Sequence, residues 1–350
     1  MQKSVEIIEG DTVGIAYTLP VYRFAGSDPA AAAAYIQAAL HGDELPGVVA
    51  IDALLPQLLE AEEEGRIRGR ITVVPFANPI GRSQYLFGDH QGRFHLGSRT
   101  NFNRDFPLLD GPQAEIPSSR DLTVPADQRL KRRLLELSLG HDIILDLHCD
   151  DEGVPYLYVP KALWPQMADV AAAMNMQAVV LWDGGSGASF DEASVNPYLG
   201  QPAQDLAKRV VTTVEYRGQA DVSAELARHD ADGIYRVLAR RGVIEDAAAG
   251  APADYTGLAA PIENVEMVKA RRAGAVLFHV QPGDRVKAGA LLATVIAEPG
   301  EPDGRDEIHA PQDGFVLTRR VRRAVTAGDD LVKLVGKQAS AVAKSGALED

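Results

Sequence analysis

The sequence predicts an α/β layer fold, a mixed but largely parallel sheet flanked by helices, followed by a smaller all-β domain. Three observations carry this. From about residue 34 to residue 216 short β-like runs alternate with segments of helical period, the pattern of strands and helices layered on one sheet. After a small-residue linker, GVIEDAAAGAPADYTG from Gly242, the periodicity turns strand-like. A chain of 350 residues is also long enough for one large domain and a smaller one. The division expected is 1–252, 256–337 and a mobile tail over 338–350.

Three strands matter most. AYIQAAL (34–40) leads into His41, RITVVPFANP (70–79) ends at a turn, and DIILDLHCD (142–150) carries His148. The alanines before Tyr35 favour helix by propensity, but the run feeds a Gly turn and a helix that opens near Pro46, so a strand is expected. Between Gly47 and Glu64 the residues Val48, Ile51, Leu54, Leu55, Leu58 and Leu59 form one stripe, the mark of a helix packed on a sheet. Pro56 should kink it. Further helices are expected over Ala126–Leu139 and Asp221–Arg241. The long polar stretch from Asn78 to Arg120 holds five Arg and two His, and long insertions of this kind in compact domains are usually functional. Later, GAVLFHVQPGDRVKAGALLATV from Gly274 and GFVLTRRVRRAVTAGDDLVKLV from Gly314 repeat one plan of Gly, strand, turn and strand.

Composition narrows the function. A net charge of -14 opposes binding to phosphate backbones or anionic membranes, so nucleic acid and membrane are not expected partners. The basic stretch Arg319–Arg323 reads as the wet face of a strand. The single cysteine, Cys149, allows no intrachain disulfide, and the N-terminus MQKSVEIIEGDTVG lacks the apolar run of a signal peptide. A cytoplasmic protein is expected; a homo-oligomer is compatible with the sequence.

His41 and Glu44 stand three apart in HGDE where a strand hands over to a turn and a helix, and His148 ends a strand about 100 residues later. Strand ends of this kind meet at the carboxyl edge of an α/β sheet, where ligands bind. Two imidazoles and one carboxylate leave a position open for water, the ligand set of catalytic zinc. H-x-x-E alone is a weak signal, as is His148. Asp146, two residues before His148 and on the same strand face, can accept a hydrogen bond from a ligand imidazole. The other histidines, His90, His95, His141, His229, His279 and His309, lack partners at ligand spacing and read as loop or surface residues. Gly184, Gly185 and Gly187 in DGGSGASFDE do not have phosphate-loop spacing and suggest a mobile wall of the site.

Four pieces in order, HGDELPG (41–47), NFNRDFP (101–107), ILDLHCD (144–150) and TVEYRGQ (213–219), resemble the succinylglutamate desuccinylase and aspartoacylase group of the zinc carboxypeptidase clan. The resemblance implies a zinc-carboxypeptidase-like catalytic domain with one zinc per chain on His41, Glu44 and His148, and Glu215 as the catalytic residue that takes a proton from the attacking water. It also implies that Asn103 and Arg104 grip a substrate carboxylate, and that Arg99 polarises the scissile carbonyl, with Arg82 and Arg93 as alternatives in the same loop. The expected activity is deacylation of a small N-acyl amino acid. A metallocarboxypeptidase or an esterase would use the same site, and a non-catalytic binding protein is the alternative from another class. The paired repeats resemble a biotinyl or lipoyl domain of barrel-sandwich type. A carrier would need a lysine between its halves, whereas AEPGEPDGRDEIHAP has none.

Overall fold

A nine-stranded mixed sheet, in a computed structural model that describes residues 1–251, 254–343 and 348, forms the frame of the molecule. From one edge its strands are Gln2–Glu9, Ala16–Phe24, Ile71–Val74, Ala34–Ala38, Ile143–Asp150, Val210–Gly218, Tyr156–Pro160, Ala178–Trp182 and Leu258–Pro261. The central four, Ile71–Val74 to Val210–Gly218, run parallel to one another, so their carboxyl ends share one edge. The first two strands and the pairing of Val210–Gly218 with Tyr156–Pro160 are antiparallel.

Alternation along the central strands decides which side chains face which layer. Ala38 and Leu147 point to the helix Pro46–Glu63. A Cβ on Gly47 would lie 2.6 Å from Leu147 Cβ and 3.1 Å from Ala38 Cβ, so only glycine lets this helix approach so closely. Tyr35 points the other way, its ring centroid 6.0 Å from that of Phe190, on the helix Phe190–Val195. Gln37 shares the Tyr35 face and bonds Asp146 at 2.9 Å. The buried stripe Ala50, Ile51, Leu54, Leu58 and Ala61 closes the first layer, and the helix Ala224–Arg240 packs beside it. Pro56 lies inside the helix Pro46–Glu63.

The polar stretch after Asn78 holds a one-turn helix, Pro79–Arg82, and a small hairpin, Tyr85–Leu86 with Asp89–His90, before the helix Ala126–Ser138. Beyond residue 264 the chain forms two antiparallel sheets. Each repeat supplies two longer strands and a short one: Gly274–Phe278, Arg285–Val286 and Leu291–Ile296, then Gly314–Arg319, Ala324–Val325 and Asp330–Gly336. The short strands are exchanged. Arg285–Val286 pairs with Gly314–Arg319, and Ala324–Val325 pairs with Gly274–Phe278.

Several sequence expectations need correction here. Leu258–Pro261 follows the linker yet completes the large sheet beside Ala178–Trp182; four residues are too short for periodicity to assign them. Arg319–Arg323 is not a strand face: the strand Gly314–Arg319 ends at Arg319 and the chain turns before Ala324–Val325, with Arg322 and Arg323 exposed and the Arg319 and Arg323 guanidiniums bonded to Glu152. The backbone at Glu152–Gly153 also pairs with Thr318 and Arg319. His141 is buried, with Nδ1 against the Ser138 carbonyl and Nε2 near the Thr72 hydroxyl, and burial lowers its pKa to about 4. In the tail, Ser340 is buried, its N–H donating to the Glu263 carbonyl at 2.7 Å. Leu348 is buried as well, while positions 344–347 and 349–350, like 252 and 253 in the linker, lie outside the described residues. Among the described residues no helix is long and apolar enough to cross a membrane.

Candidate metal centre and its pocket

His41, Glu44 and His148 meet at the carboxyl edge of the central strands, all three buried, with one potential ligand atom from each within 4.8 Å of the others. The group could hold a metal ion. His41 Nδ1 lies 2.8 Å from Glu44 Oε1, and His148 Nδ1 lies 2.8 Å from Glu44 Oε2. The two rings approach edge to face, centroids 4.9 Å apart.

The outer nitrogens are anchored separately. His41 Nε2 meets Asn101 Oδ1 at 2.9 Å, and that oxygen also accepts the Asn103 backbone N–H at 2.8 Å. The second bond identifies the atom as oxygen, so His41 must donate from Nε2 and, when neutral, turns the Nδ1 lone pair inward. His148 Nε2 meets Asp146 Oδ2 at 2.9 Å, and Gln37 and Tyr35 extend that chain into the core. Imidazoles oriented by such outer partners are the usual design of a metal site. Asn101 opens the NFNRDFP motif but lacks the residue type of a ligand, which is why spacing alone passes over it.

Electrostatics point the same way. Burial opposes the charge on Glu44, but His41 and His148 outweigh it and hold the carboxyl well below its ordinary value. Burial also opposes a proton on His148, yet Asp146 and Glu44 outweigh it and hold that imidazole well above its usual range. Burial lowers His41. Two buried carboxylates on two imidazoles thus favour a cation between them, and a divalent metal fits this donor set. Burial raises the Cys149 thiol above its ordinary value.

Glu215 stands on the neighbouring strand in register with His148 on one side and Tyr156 on the other. Just beyond it the ladder slips: Arg217 takes φ +55° and its guanidinium bonds Asp230 at 3.0 Å, while Gly218 lies against the Asp151 carbonyl where a Cβ would clash. Such an irregularity bends the strand end and re-aims side chains. Glu215 Oε2 is buried without a hydrogen-bond partner among the described residues, and burial raises the carboxyl to about 8.

A cavity of about 280 Å3 opens over these residues, the scale of a small ligand. Asn103 and Arg104 line it; Asn103 Oδ1 accepts the Phe190 N–H at 2.8 Å, which fixes the side chain. Arg99 does not reach it. That residue is exposed, at φ +62°, in a turn closed by its own N–H to the His95 carbonyl. Arg82 is also outside, stacked on the Phe76 ring. Arg93 enters instead, with Nη1 3.6 Å from Glu44 Oε1 and 3.4 Å from His41 Nδ1. Gly92 explains the placement: its carbonyl accepts the Gly42 N–H at 2.9 Å, and a Cβ there would collide with Asp43. The wall opposite the sheet comes from Thr318–Arg320 and Asp330–Lys333, with Leu348 beside them. Lys333 bonds Asp150, whose carboxylate also accepts from the Tyr156 hydroxyl. The loop with Gly184, Gly185 and Gly187 does form a wall, tied by Glu192 to the N–H groups of Ser186 and Ala188.

The succinylglutamate desuccinylase/aspartoacylase catalytic-domain family matches residues 30–241. A family protein of that description from Shewanella amazonensis is 26% identical, with a TM-score of 0.83 over 96% of this chain and 99% of that one. One from Shewanella frigidimarina is 24% identical, with a TM-score of 0.81 over 96% and 97%. A third, from Rhodobacter sphaeroides, is 19% identical, with a TM-score of 0.72 over 96% and 95%, and supports the fold alone. No curated protein matches the chain.

Two outcomes follow from the site itself. Asn101→Ala leaves His41 Nε2 without its acceptor and should weaken metal binding about 10-fold to 100-fold in competition with a chelator; unchanged affinity would show that Asn101 does not orient the ligand. In the metal-free protein, Glu215 keeps its proton when folded up to about pH 8, against an ordinary value of 4.5. The folded state therefore binds more protons across that window, and this group's contribution to stability is lost as pH rises through it. Thermal melts should show Glu215→Gln gaining on the wild type between about pH 5 and about pH 8; parallel curves would contradict the burial.

Proposed function

The chain belongs to the succinylglutamate desuccinylase/aspartoacylase family, and from that premise we propose that it is a zinc-dependent deacylase that hydrolyses the amide bond of a small N-acyl amino acid. The family suggests a hydrolase of this general type. The observation that carries the finer reading is the convergence of both imidazole Nδ1 atoms on the two oxygens of Glu44 beneath a small cavity.

His41, Glu44 and His148 would hold one zinc, which when bound lowers the pKa of water and polarises a carbonyl. Glu215 takes the proton of the attacking water. Its Oε2, which has no hydrogen-bond partner among the described residues, is open to that proton, and the positive charge of a bound metal would favour the carboxylate form that accepts it. Arg93, rather than Arg99, faces the scissile carbonyl, because it is the arginine of its loop that lies against Glu44 and His41. A fixed guanidinium there opposes the negative charge that develops on the carbonyl oxygen. Asn103 and Arg104 hold the substrate carboxylate, for which a planar fork of donors is suited. As the C–N bond breaks, Glu215 passes its proton to the leaving nitrogen. The acyl group leaves as a carboxylic acid.

The strands beyond residue 264 are read as a barrel sandwich of biotinyl/lipoyl type. They narrow the mouth from above with Lys333 and Arg320, which favours a small substrate over the peptide a carboxypeptidase accepts.

The test is a screen of N-acetyl, N-succinyl and N-formyl amino acids against short peptides, with metal analysis of the same samples. One zinc per chain and turnover of an acyl amino acid are expected, and Glu215→Gln should keep the zinc while losing about 100-fold to 10,000-fold in kcat. A protein that stays metal-free after zinc exposure, or a Glu215→Gln enzyme with full turnover, would overturn the reading.

A further inference from the structure

Gln37 is an amide buried in the middle of the large sheet. Every residue of its strand, Ala34–Ala38, is buried, and Gln37 and Tyr35 on one face of it are 0% exposed. A polar side chain so far from water is costly unless its atoms are satisfied. In the parallel ladder Gln37 stands opposite Asp146, which is itself 0% exposed, and the two side chains meet. Asp146 Oδ1 accepts from Gln37 Nε2 while Oδ2 faces His148 Nε2, each at 2.9 Å.

The groups themselves fix the direction of each proton in this row. An ionised carboxylate only accepts, so the Gln37 atom that faces Asp146 is Nε2, and Oε1 is left to accept from the Tyr35 hydroxyl at 2.7 Å. For the same reason His148 donates from Nε2 and, when neutral, turns its Nδ1 lone pair towards Glu44 Oε2, 2.8 Å away. The Tyr35 ring packs against His141 and Phe190, with centroids 5.9 and 6.0 Å apart, which sets the direction of its hydroxyl. The terminal torsion of an aspartate is soft. With Oδ1 held by Gln37, the Asp146 carboxylate presents Oδ2 in one direction; released, it would rotate, and the His148 ring would lose its fixed acceptor.

Resting on the metal-dependent reading above, we propose that Gln37 is a positioning residue of the metal centre: it pins Asp146, and through Asp146 it holds His148 with Nδ1 turned to the ligand. Tyr35 orders the amide in turn. Fully buried behind Asp146, Gln37 acts through the affinity with which the site holds a divalent ion and not by contact with substrate. A glutamine that merely filled the sheet would be replaceable by an apolar side chain of its own length.

The experiment measures zinc affinity by competition with a chelator in the wild type and in Gln37→Met, which keeps the length of the side chain and removes its donor. Affinity should fall by about tenfold or more, and Tyr35→Phe, which keeps the ring packing, should weaken it by a smaller factor. In an Asp146→Ala background Gln37→Met should cause no further loss, because the residue it acts through is gone. Unchanged affinity in Gln37→Met, or the same loss with and without Asp146, would overturn the proposal. Thermal melts of the metal-free proteins show whether each variant folds. If Gln37→Met does not, Tyr35→Phe decides in its place, and unchanged zinc affinity there would overturn the proposal. Zinc binding that depends on Gln37 without hydrolysis of any acyl amino acid would sink the deacylase reading and keep this one. Hydrolysis by a protein whose zinc affinity Gln37→Met leaves unchanged would do the reverse.

Discussion

Glu44 is the residue on which the rest of the site depends. Its two carboxylate oxygens face the Nδ1 atoms of His41 and His148, and the Cys149 backbone N–H adds a further bond at 3.2 Å. These partners come from two stretches of chain, so the carboxylate fixes the relative position of the turn after Ala34–Ala38 and the end of Ile143–Asp150. The outer bonds to Asn101 and Asp146 then prevent either ring from rotating away. An assembly of two imidazoles, two carboxylates and an amide, all buried, is costly unless each polar atom is satisfied. Its cost makes sense only if the arrangement has a ligand of its own.

Function is divided between two layers of the molecule. The carboxyl edge of the parallel strands gathers His41, Glu44, His148 and Glu215, while the loops after Asn78 and after Trp182 bring in Arg93, Asn103, Arg104 and Asp191. The antiparallel sheets close the cavity from the other side. Their attachment is polar: Lys333 meets Asp150, Arg319 and Arg323 meet Glu152, and Lys161 meets Glu263 at 3.2 Å. The pairing of Lys333 with Asp150, two residues beyond His148, couples the wall directly to the strand that bears a ligand.

The His41, Glu44 and His148 cluster, which could hold a metal ion, was legible in the sequence because its two histidines each sit at the end of an apolar run whose period fixes its place on the sheet. His41 and His148 are of this kind, and so is Glu215 within TVEYRGQ. Arginine placement was not legible in the same way. Arg82, Arg93 and Arg99 share one loop without periodicity, and the choice among them is made by the close approach of Gly92 to Gly42 and Asp43, a long-range contact. Asn101 was hidden for another reason: an amide that orients a ligand has no residue type of its own to announce it. The alternation in Arg319–Arg323 did not mark a strand, since the strand ends at Arg319, and it said nothing of Glu152, some 170 positions away in the chain.

The most direct measurement is a crystal structure of the zinc-loaded protein with anomalous data at the zinc edge. One strong peak bonded by His41 Nδ1, His148 Nδ1 and the Glu44 carboxylate, with His41 Nε2 still on Asn101 and His148 Nε2 still on Asp146, is the result expected. Zinc bound elsewhere, or held through either Nε2 atom, would contradict the account.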